Sequence, residues 1–371
     1  MAQASIAAHA IEPSAESMLR APPIAGHGAK LPGCSVSCAG PSEGARIVPR
    51  MVTPRTVLVV NPRSQGGRLG KRWKDIADTI GRAFPFDEAL TQAPGDATRL
   101  TREALRGGAE RVVAIGGDGT INEVVNGFFD DAGAALAPEA SLGVIPFGTG
   151  GDFRRSVHLP TELADAARVI AANHRRRIDV GRLAFTASGG GRAVRMFINI
   201  ASFGVSGVVD RLVNESNKRL GRLAFAVATA RATWSYKNQR VQLVFDGVDR
   251  VEATINTVAV ANGRYFGGAM MVAPDAELDD GQFDVIAMGD FGFGDLLTSG
   301  RRLYQGTHLT MAKVTARRAR VVEAEPIDPG AVVELDVDGE NPGRLPAKFE
   351  LVPSALWVVA PAGHAGGLPA R

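Results

Sequence analysis

Residues 112–123 read V-V-A-I-G-G-D-G-T-I-N-E, an apolar strand that meets three glycines around one aspartate and then opens a helix. Gly116, Gly117 and Gly119 leave backbone N–H groups without side chains beside them, so phosphate oxygens can approach closely. Asp118 sits inside the turn, where a carboxylate can reach the metal of a metal–nucleotide complex. Alone, such a turn is also an ordinary strand-to-helix connection and a weak signal. Two similar turns accompany it, V-L-V-V-N-P-R-S-Q-G-G at 57–67 and L-G-V-I-P-F-G-T-G-G-D at 142–152. Three of them would lie at the carboxyl ends of parallel strands, where ligands bind in such sheets. The pattern implies phosphate handling, with a nucleotide as the first candidate.

Two acidic stretches follow. P-D-A-E-L-D-D-G-Q-F-D-V at 274–285 places Asp279 and Asp280 before a glycine, which is a common turn. As a metal loop, Asp280 would supply a carboxylate and neighbouring carbonyls further oxygens, a set suited to Mg²⁺. L-D-V-D-G-E at 335–340 puts Asp336 and Asp338 on one strand face and Glu340 after the turn glycine. Asp338 or Glu340 aimed into a cleft would serve as a general base for a hydroxyl nucleophile. D-G is equally a standard hairpin turn, and spacing alone leaves the two readings level.

These residues need elements to carry them. Strands at 56–60, 111–115 and 141–145 alternate with helices at 71–83, 96–107, 120–128 and 161–173, Asp96 being placed to cap the second helix. That alternation predicts a parallel sheet covered on both faces, a three-layer α/β domain over 54–178. From 179 to 354 strands dominate, at 178–186, 194–200, 241–246, 251–261, 283–288, 313–323, 331–337 and 347–351, with helices near 206–236 and 293–305. A second, β-sandwich-like domain is expected there. A strand at 355–360 within the final segment 355–371 is the candidate for a return to the first domain.

Residues 1–53 are rich in Ala, Pro, Ser and Gly without periodicity and read as a disordered tail. Met51 stands just before the first strand as an alternative start, and a chain beginning there is expected to fold and act unchanged. Cys34 and Cys38, with His27 nearby, fall short of a zinc site in ligand count and spacing, and no disulfide framework is expected. The composition, 45% hydrophobic and 22% charged, is that of an ordinary globular protein, and no run suits a spanning helix. A net charge of +3 favours acidic partners such as nucleotides or anionic lipid surfaces, and no nucleic-acid partner is expected. A G-x-S-x-G turn and a G-x-x-x-x-G-K-[ST] loop are both missing, so neither a serine hydrolase nor a Walker-type nucleotide site is expected.

With these motifs in view, residues 54–360 resemble the soluble diacylglycerol kinase catalytic family, which includes bacterial lipid kinases and the sphingosine and ceramide kinases. The resemblance rests on seven motifs in order: N-P-R-S at 61–64, G-D-A-T-R at 95–99, G-G-D-G-T-I-N-E at 116–123, P-F-G-T-G-G-D-F at 146–153, N-I-A-S-F-G at 199–204, D-D-G-Q-F-D at 279–284 and D-G-E at 338–340. Seven motifs in that order are highly specific.

The resemblance implies a kinase that moves the γ-phosphate of ATP to a lipid hydroxyl, diacylglycerol or a related long-chain alcohol, using Mg²⁺. It implies nucleotide contacts at Asn61, Thr91, Gly116, Gly117, Asp118, Gly119, Thr120, Asn122, Glu123, Gly148 and Thr149. It further implies proton abstraction by Asp338 and Glu340, Glu340 being the usual acceptor, and a structural Mg²⁺ site at Glu277, Asp280 and Gln282. Many relatives carry Asn where this chain has Gly151, which bears on nucleotide affinity. Arg63 and Arg68 are candidate cations near the phosphates, or solvated surface residues. A cytoplasmic protein in peripheral contact with membrane is expected, through the helix at 217–236 or through Arg301-Arg302 and Arg317-Arg318-Ala319-Arg320. Bacterial members are often homodimers. Two alternatives stay open: an NAD kinase, which shares the G-G-D-G-T turn, and a nucleotide- or lipid-binding regulator without turnover.

Overall fold

Every residue of β1 (Thr56–Val60) is buried, and its side chains feed two different cores. Successive strand residues point to opposite faces of a sheet, so an uninterrupted apolar run requires cover on both sides. In the computed structural model, which describes residues 53–148, 150–215, 236–291 and 293–362, helices supply that cover. Val57 and Val59 join a core with Ala97 and Leu105 of α3 (Asp96–Arg106) and Ile121 and Val125 of α4 (Asp118–Gly127). Leu58 and Val60 join another with Leu69 of α1 (Ser64–Lys71), Ile76 and Ile80 of α2 (Trp73–Gly81) and Ile170 of α6 (Leu163–Ala172). The middle layer is parallel, in the order β2 (Asp87–Leu90), β1, β3 (Arg111–Gly116), β4 (Ser141–Pro146). Helix α5 (Asp152–Ser156) follows the third glycine-rich loop.

Two local expectations change. The helix expected at 71–83 forms as α2, but the segment before it, expected to be loop, carries α1, inside which Gln65, Gly66 and Gly67 take φ of 51°, 66° and 85°. That left-handed stretch forces the winding to restart. Asp96 does not cap α3 either. Gly95 holds the cap position, and the Asp96 carboxylate turns back to accept the N–H groups of Gln92 and Ala93. The first turn is capped from α4, where Glu123 accepts the N–H groups of Gly95 (3.0 Å) and Ala97 (3.1 Å).

Arg111 on β3 is 1% exposed. Its guanidinium donates to Thr56 Oγ1 (3.0 Å), the Ile170 carbonyl (2.5 Å) and Asn173 Oδ1 (3.2 Å), and it lies over the Phe84 ring. Burial pulls its pKa down to about 10. Arg111→Ala would leave those acceptors unpaired around a cavity, and a loss of about 2–4 kcal/mol is expected in denaturant melts.

Beyond β4 the strands turn antiparallel. The large sheet continues through β17 (Gly343–Val359), β15 (Val321–Pro326), β8 (Gln239–Phe245) and β9 (Asp249–Ile255), with β5 (Arg175–Ala187) pairing β17 and β6 (Arg192–Phe197) pairing β5. A five-stranded sheet packs against this extension, in the order β14 (Val314–Ala319), β13 (Phe283–Met288), β10 (Thr257–Ala261), β7 (Ile200–Gly204), β16 (Leu335–Val337). The two form the β-sandwich-like half, and their core includes Phe197 stacked on Phe283 and Phe203 on Phe349. The outer face of the smaller sheet is covered by α8 (Phe293–Gln305) and by residues around the short hairpin β11 (Tyr265–Phe266) and β12 (Met270–Met271). Helix α7 (Val205–Glu215) follows β7.

The expected strand at 313–323 divides at Arg320, because β14 and β15 belong to different sheets. Asp246 Oδ1 holds the corner by accepting the N–H groups of Arg320 and Val321. The expected strands at 347–351 and 355–360 instead form one, β17, with a register shift between Val352 and Leu356. Its last turn of pairing is parallel, Trp357 opposite Ser141 and Val358 opposite Leu142. One sheet therefore runs through both halves. No helix among the described residues is long and apolar enough to cross a membrane. Residues 1–52, most of the helix expected at 217–236, and Thr149 lie outside the described residues.

Candidate active site

Strand register sets the site. Leu90 lies opposite Val60, Val60 opposite Ile115 and Ile115 opposite Ile145, so four strands end at one level. Thr91, Asn61, Gly116 to Asp118, and Phe147 with Gly148 follow those ends on one edge of the sheet. The loops are cross-linked. Asn61 Nδ2 donates to Thr120 Oγ1 (3.0 Å), and the Thr91 N–H donates to the Val60 carbonyl (2.9 Å). A Cβ on Gly116 would lie 2.5 Å from Thr120 Oγ1, and one on Gly148 would lie 2.7 Å from the Cα of Gly117. Gly116 is needed because the Thr120 side chain folds back onto it, and Gly148 because the two loops pass in backbone contact. With Gly117 extended at its cap, α4 turns its first N–H groups and the positive end of its dipole into the crevice. Arg63 on the first loop and Arg68 in α1 are both exposed.

Asp118 Oδ2 accepts the N–H of Gly151 at 2.8 Å. Gly151 sits at φ 65°, a left-handed conformation open to Gly and Asn alike, so the departure at this position keeps the backbone of the loop. The other oxygen, Asp118 Oδ1, is buried without a hydrogen-bond partner. Desolvation, with the Asp152 charge second, raises the Asp118 pKa. A buried, unsatisfied carboxylate oxygen beside a glycine turn fits a divalent cation, and Mg²⁺ needs only one or two carboxylates beside phosphate and water. Asp152, one carboxylate away, is engaged elsewhere: it accepts the N–H groups of Gly268 and Ala269 (both 2.8 Å) and pairs with Arg155. It ties the third loop to the β11–β12 hairpin, as Asn199 does through Ser156 Oγ and the Tyr265 carbonyl. Asp152 was legible as the acid of P-F-G-T-G-G-D-F, but not as a tether.

The D-G-E hairpin separates its two acids. Asp338 and Gly339 take φ of 50° and 88°, the geometry of a tight hairpin turn. This throws the Asp338 carboxylate inward, where it accepts Asn122 Nδ2 (2.8 Å) and the N–H groups of Ile198 (3.2 Å), Asn199 (3.2 Å) and Ile200 (3.0 Å). Four donors leave it little capacity to take a proton from a substrate. Glu340 points the other way. A Cβ on Gly119 would lie 2.7 Å from Glu340 Oε1, so this carboxylate stands over the G-G-D-G-T turn. Its Oε2 pairs with Arg195 at 2.5 Å.

Burial raises the Asp338 pKa from 3.8 to about 6, against the pull of Asn122 and the backbone donors. Between those values the folded chain holds a proton that the unfolded chain releases, so this group's contribution to stability falls as pH rises. Relative to Asp338→Asn, wild type is expected to lose about 2 kcal/mol between pH 4 and pH 7, read from urea melts at each pH.

Two further expected nucleotide residues are built into the scaffold. Asn122 is fully buried, bonded to Asp338, the Met196 carbonyl and Arg195 Nε, while Glu123 caps α3. Arg195 and Asn126, which join β6 to α4, carried no sequence signal, being an arginine in a strand and an asparagine in a helix. In the loop expected to hold structural Mg²⁺, Asp280 Oδ1 accepts the Gln282 N–H (3.0 Å) and Oδ2 pairs with Arg318, so a protein cation already matches this carboxylate. Among the described residues, no three His, Cys, Asp or Glu side chains come together as a metal cluster. Arg317 is likewise paired, with Asp249.

Comparison with known proteins places the chain in a family. The diacylglycerol kinase catalytic domain family matches residues 55–183, and the YegS C-terminal NAD kinase beta sandwich-like domain matches residues 199–360. A diacylglycerol kinase of Staphylococcus carnosus (strain TM300) is 31% identical over 314 residues, 83% of this chain and 95% of the relative. One from Staphylococcus haemolyticus (strain JCSC1435) is 31% identical over 299 residues, 79% of this chain and 84% of the relative. A crystal structure from Bacillus anthracis str. Sterne, named as a candidate diacylglycerol kinase, superposes with a TM-score of 0.64 at 25% identity, covering 84% of this chain and 99% of that one. With both halves of the chain matched by family models and a relative 31% identical over 83% of its length, this protein belongs to the diacylglycerol kinase family.

Proposed function

We propose that this chain transfers the γ-phosphate of ATP to the hydroxyl of a lipid, diacylglycerol first among the acceptors. The observation that carries the reading is the Glu340 carboxylate standing over Gly119, at the N-terminus of α4, with the open oxygen of Asp118 in the same turn. Phosphate oxygens are received by the N–H groups that open α4. Asp118 would hold Mg²⁺, which supplies charge neutralisation on the phosphate oxygens when bound. Glu340 takes the proton of the acceptor hydroxyl as its oxygen bonds to the γ-phosphorus, and the bond to the β–γ bridging oxygen breaks to release ADP. Asn61, Thr91 and the glycines of the turns orient the nucleotide, while the β11–β12 hairpin closes the side towards the sandwich. The lipid would be met at a membrane surface by a peripherally bound protein.

The test is transfer of labelled γ-phosphate from Mg²⁺–ATP to a panel of lipids in mixed micelles, with NAD as a soluble acceptor alongside. Label in a lipid supports the reading and names the acceptor. Label in NAD alone moves the assignment to an NAD kinase, and ATP binding without any transfer moves it to a regulator.

A further inference from the structure

The proton acceptor of that reaction sits on a hairpin tip, with 36% of its side chain exposed. A carboxylate so placed samples several rotamers unless something holds it, and general-base catalysis depends on its reach to the acceptor oxygen. The structure contains a chain of contacts that performs this holding. Asp338, buried beneath the hairpin, accepts Asn122 Nδ2 at 2.8 Å, and the same amide donates to the Met196 carbonyl at 3.1 Å. With both acceptors on its nitrogen side, the Asn122 amide can face only one way, and Oδ1 is turned to Arg195. Arg195 Nε donates to that oxygen at 2.8 Å, and its terminal nitrogen meets Glu340 Oε2 at 2.5 Å.

A guanidinium is planar, so fixing Nε fixes the direction of the remaining N–H groups. The strand under Arg195 is fixed as well. Asn126 accepts the Met196 N–H and donates to the Met196 carbonyl, both at 2.9 Å, which ties β6 to α4. Helix α4 carries Asp118 and Gly119 in its first turn. The base and the phosphate-binding turn thus share one frame.

We infer that Arg195 is the positioning residue of the proton acceptor, holding the Glu340 carboxylate over Gly119 through an ion pair whose direction is set by Asn122. The inference rests on the lipid-kinase reading above. A lysine at 195 would keep the charge and lose the arm to Asn122, so charge and direction can be separated.

The experiment is a double-mutant cycle: Arg195→Met and Arg195→Lys, each alone and combined with Glu340→Gln, assayed for kcat and for the KM of ATP with the accepted lipid. If Arg195 acts through Glu340, Arg195→Met lowers kcat by about 10- to 100-fold, a part of what a general base contributes, while the KM of ATP changes less than about threefold. Arg195→Lys recovers part of the loss. In the Glu340→Gln background neither substitution lowers kcat further. An equal loss in both backgrounds, or a wild-type kcat in Arg195→Met, overturns the inference. If Arg195→Met does not fold, Arg195→Lys carries the same comparison. Absence of transfer by wild type instead refutes the kinase reading, whereas full activity of Glu340→Gln alone leaves that reading standing and removes Glu340 from the chemistry; either takes this inference with it.

Discussion

Glu340→Gln is expected to lower kcat for phosphate transfer by about 10²- to 10⁴-fold, the range a positioned general base contributes. The glutamine keeps the size of the side chain and a carbonyl oxygen for Arg195, so the hairpin and the contact over Gly119 should survive. What disappears is the capacity to take a proton. ATP binding, measured by calorimetry, is expected to stay within about threefold of wild type, because the phosphates are received by backbone N–H groups. The same substitution at Asp338 has a different meaning. Its carboxylate is consumed by Asn122 and three backbone donors, so Asp338→Asn strikes the frame under the hairpin and lowers stability together with activity. A Glu340→Gln enzyme with wild-type kcat would remove Glu340 from the chemistry.

The second large effect is expected at Gly148. A Cβ there would lie 2.7 Å from the Cα of Gly117, backbone against backbone, so no flexible side chain can yield. Gly148→Ala must part the first turn of α4 from the third loop, and a shift of about 1 Å in a positioning element can cost about 10²-fold. The loss is expected in kcat/KM for ATP, with about 1–3 kcal/mol of stability lost to overpacking. Gly189, around which nothing lies within 4 Å, is the matched control, and Gly189→Ala is expected to stay within about 0.5 kcal/mol of wild type. Wild-type ATP kinetics in Gly148→Ala would mean that these two loops do not hold the nucleotide.

Much of this protein is determined locally and was legible in the chain. Apolar runs closed by glycine-rich turns place three loops on strand ends, because strand burial and glycine's freedom at positive φ are properties of short segments. The three-layer sheet and the β-sandwich-like half follow from the same periodicities. The D-G-E turn was also legible, but its outcome was not. Spacing left Asp338 and Glu340 as equal candidates for one role. Only the fold turns one inward onto Asn122, 216 residues away in sequence, and the other outward over Gly119. Asn122 and Glu123 look like members of the phosphate turn because they follow it directly, yet the helix rotates them away from the crevice, one under the hairpin and the other onto the start of α3. The single long β17 was hidden for a similar reason, since its register shift interrupts the alternation that marks a strand. Arg195 gave no sign at all. Its role exists only where β6, α4 and the hairpin meet, and contacts between residues far apart in the chain are set by tertiary packing rather than by any local pattern.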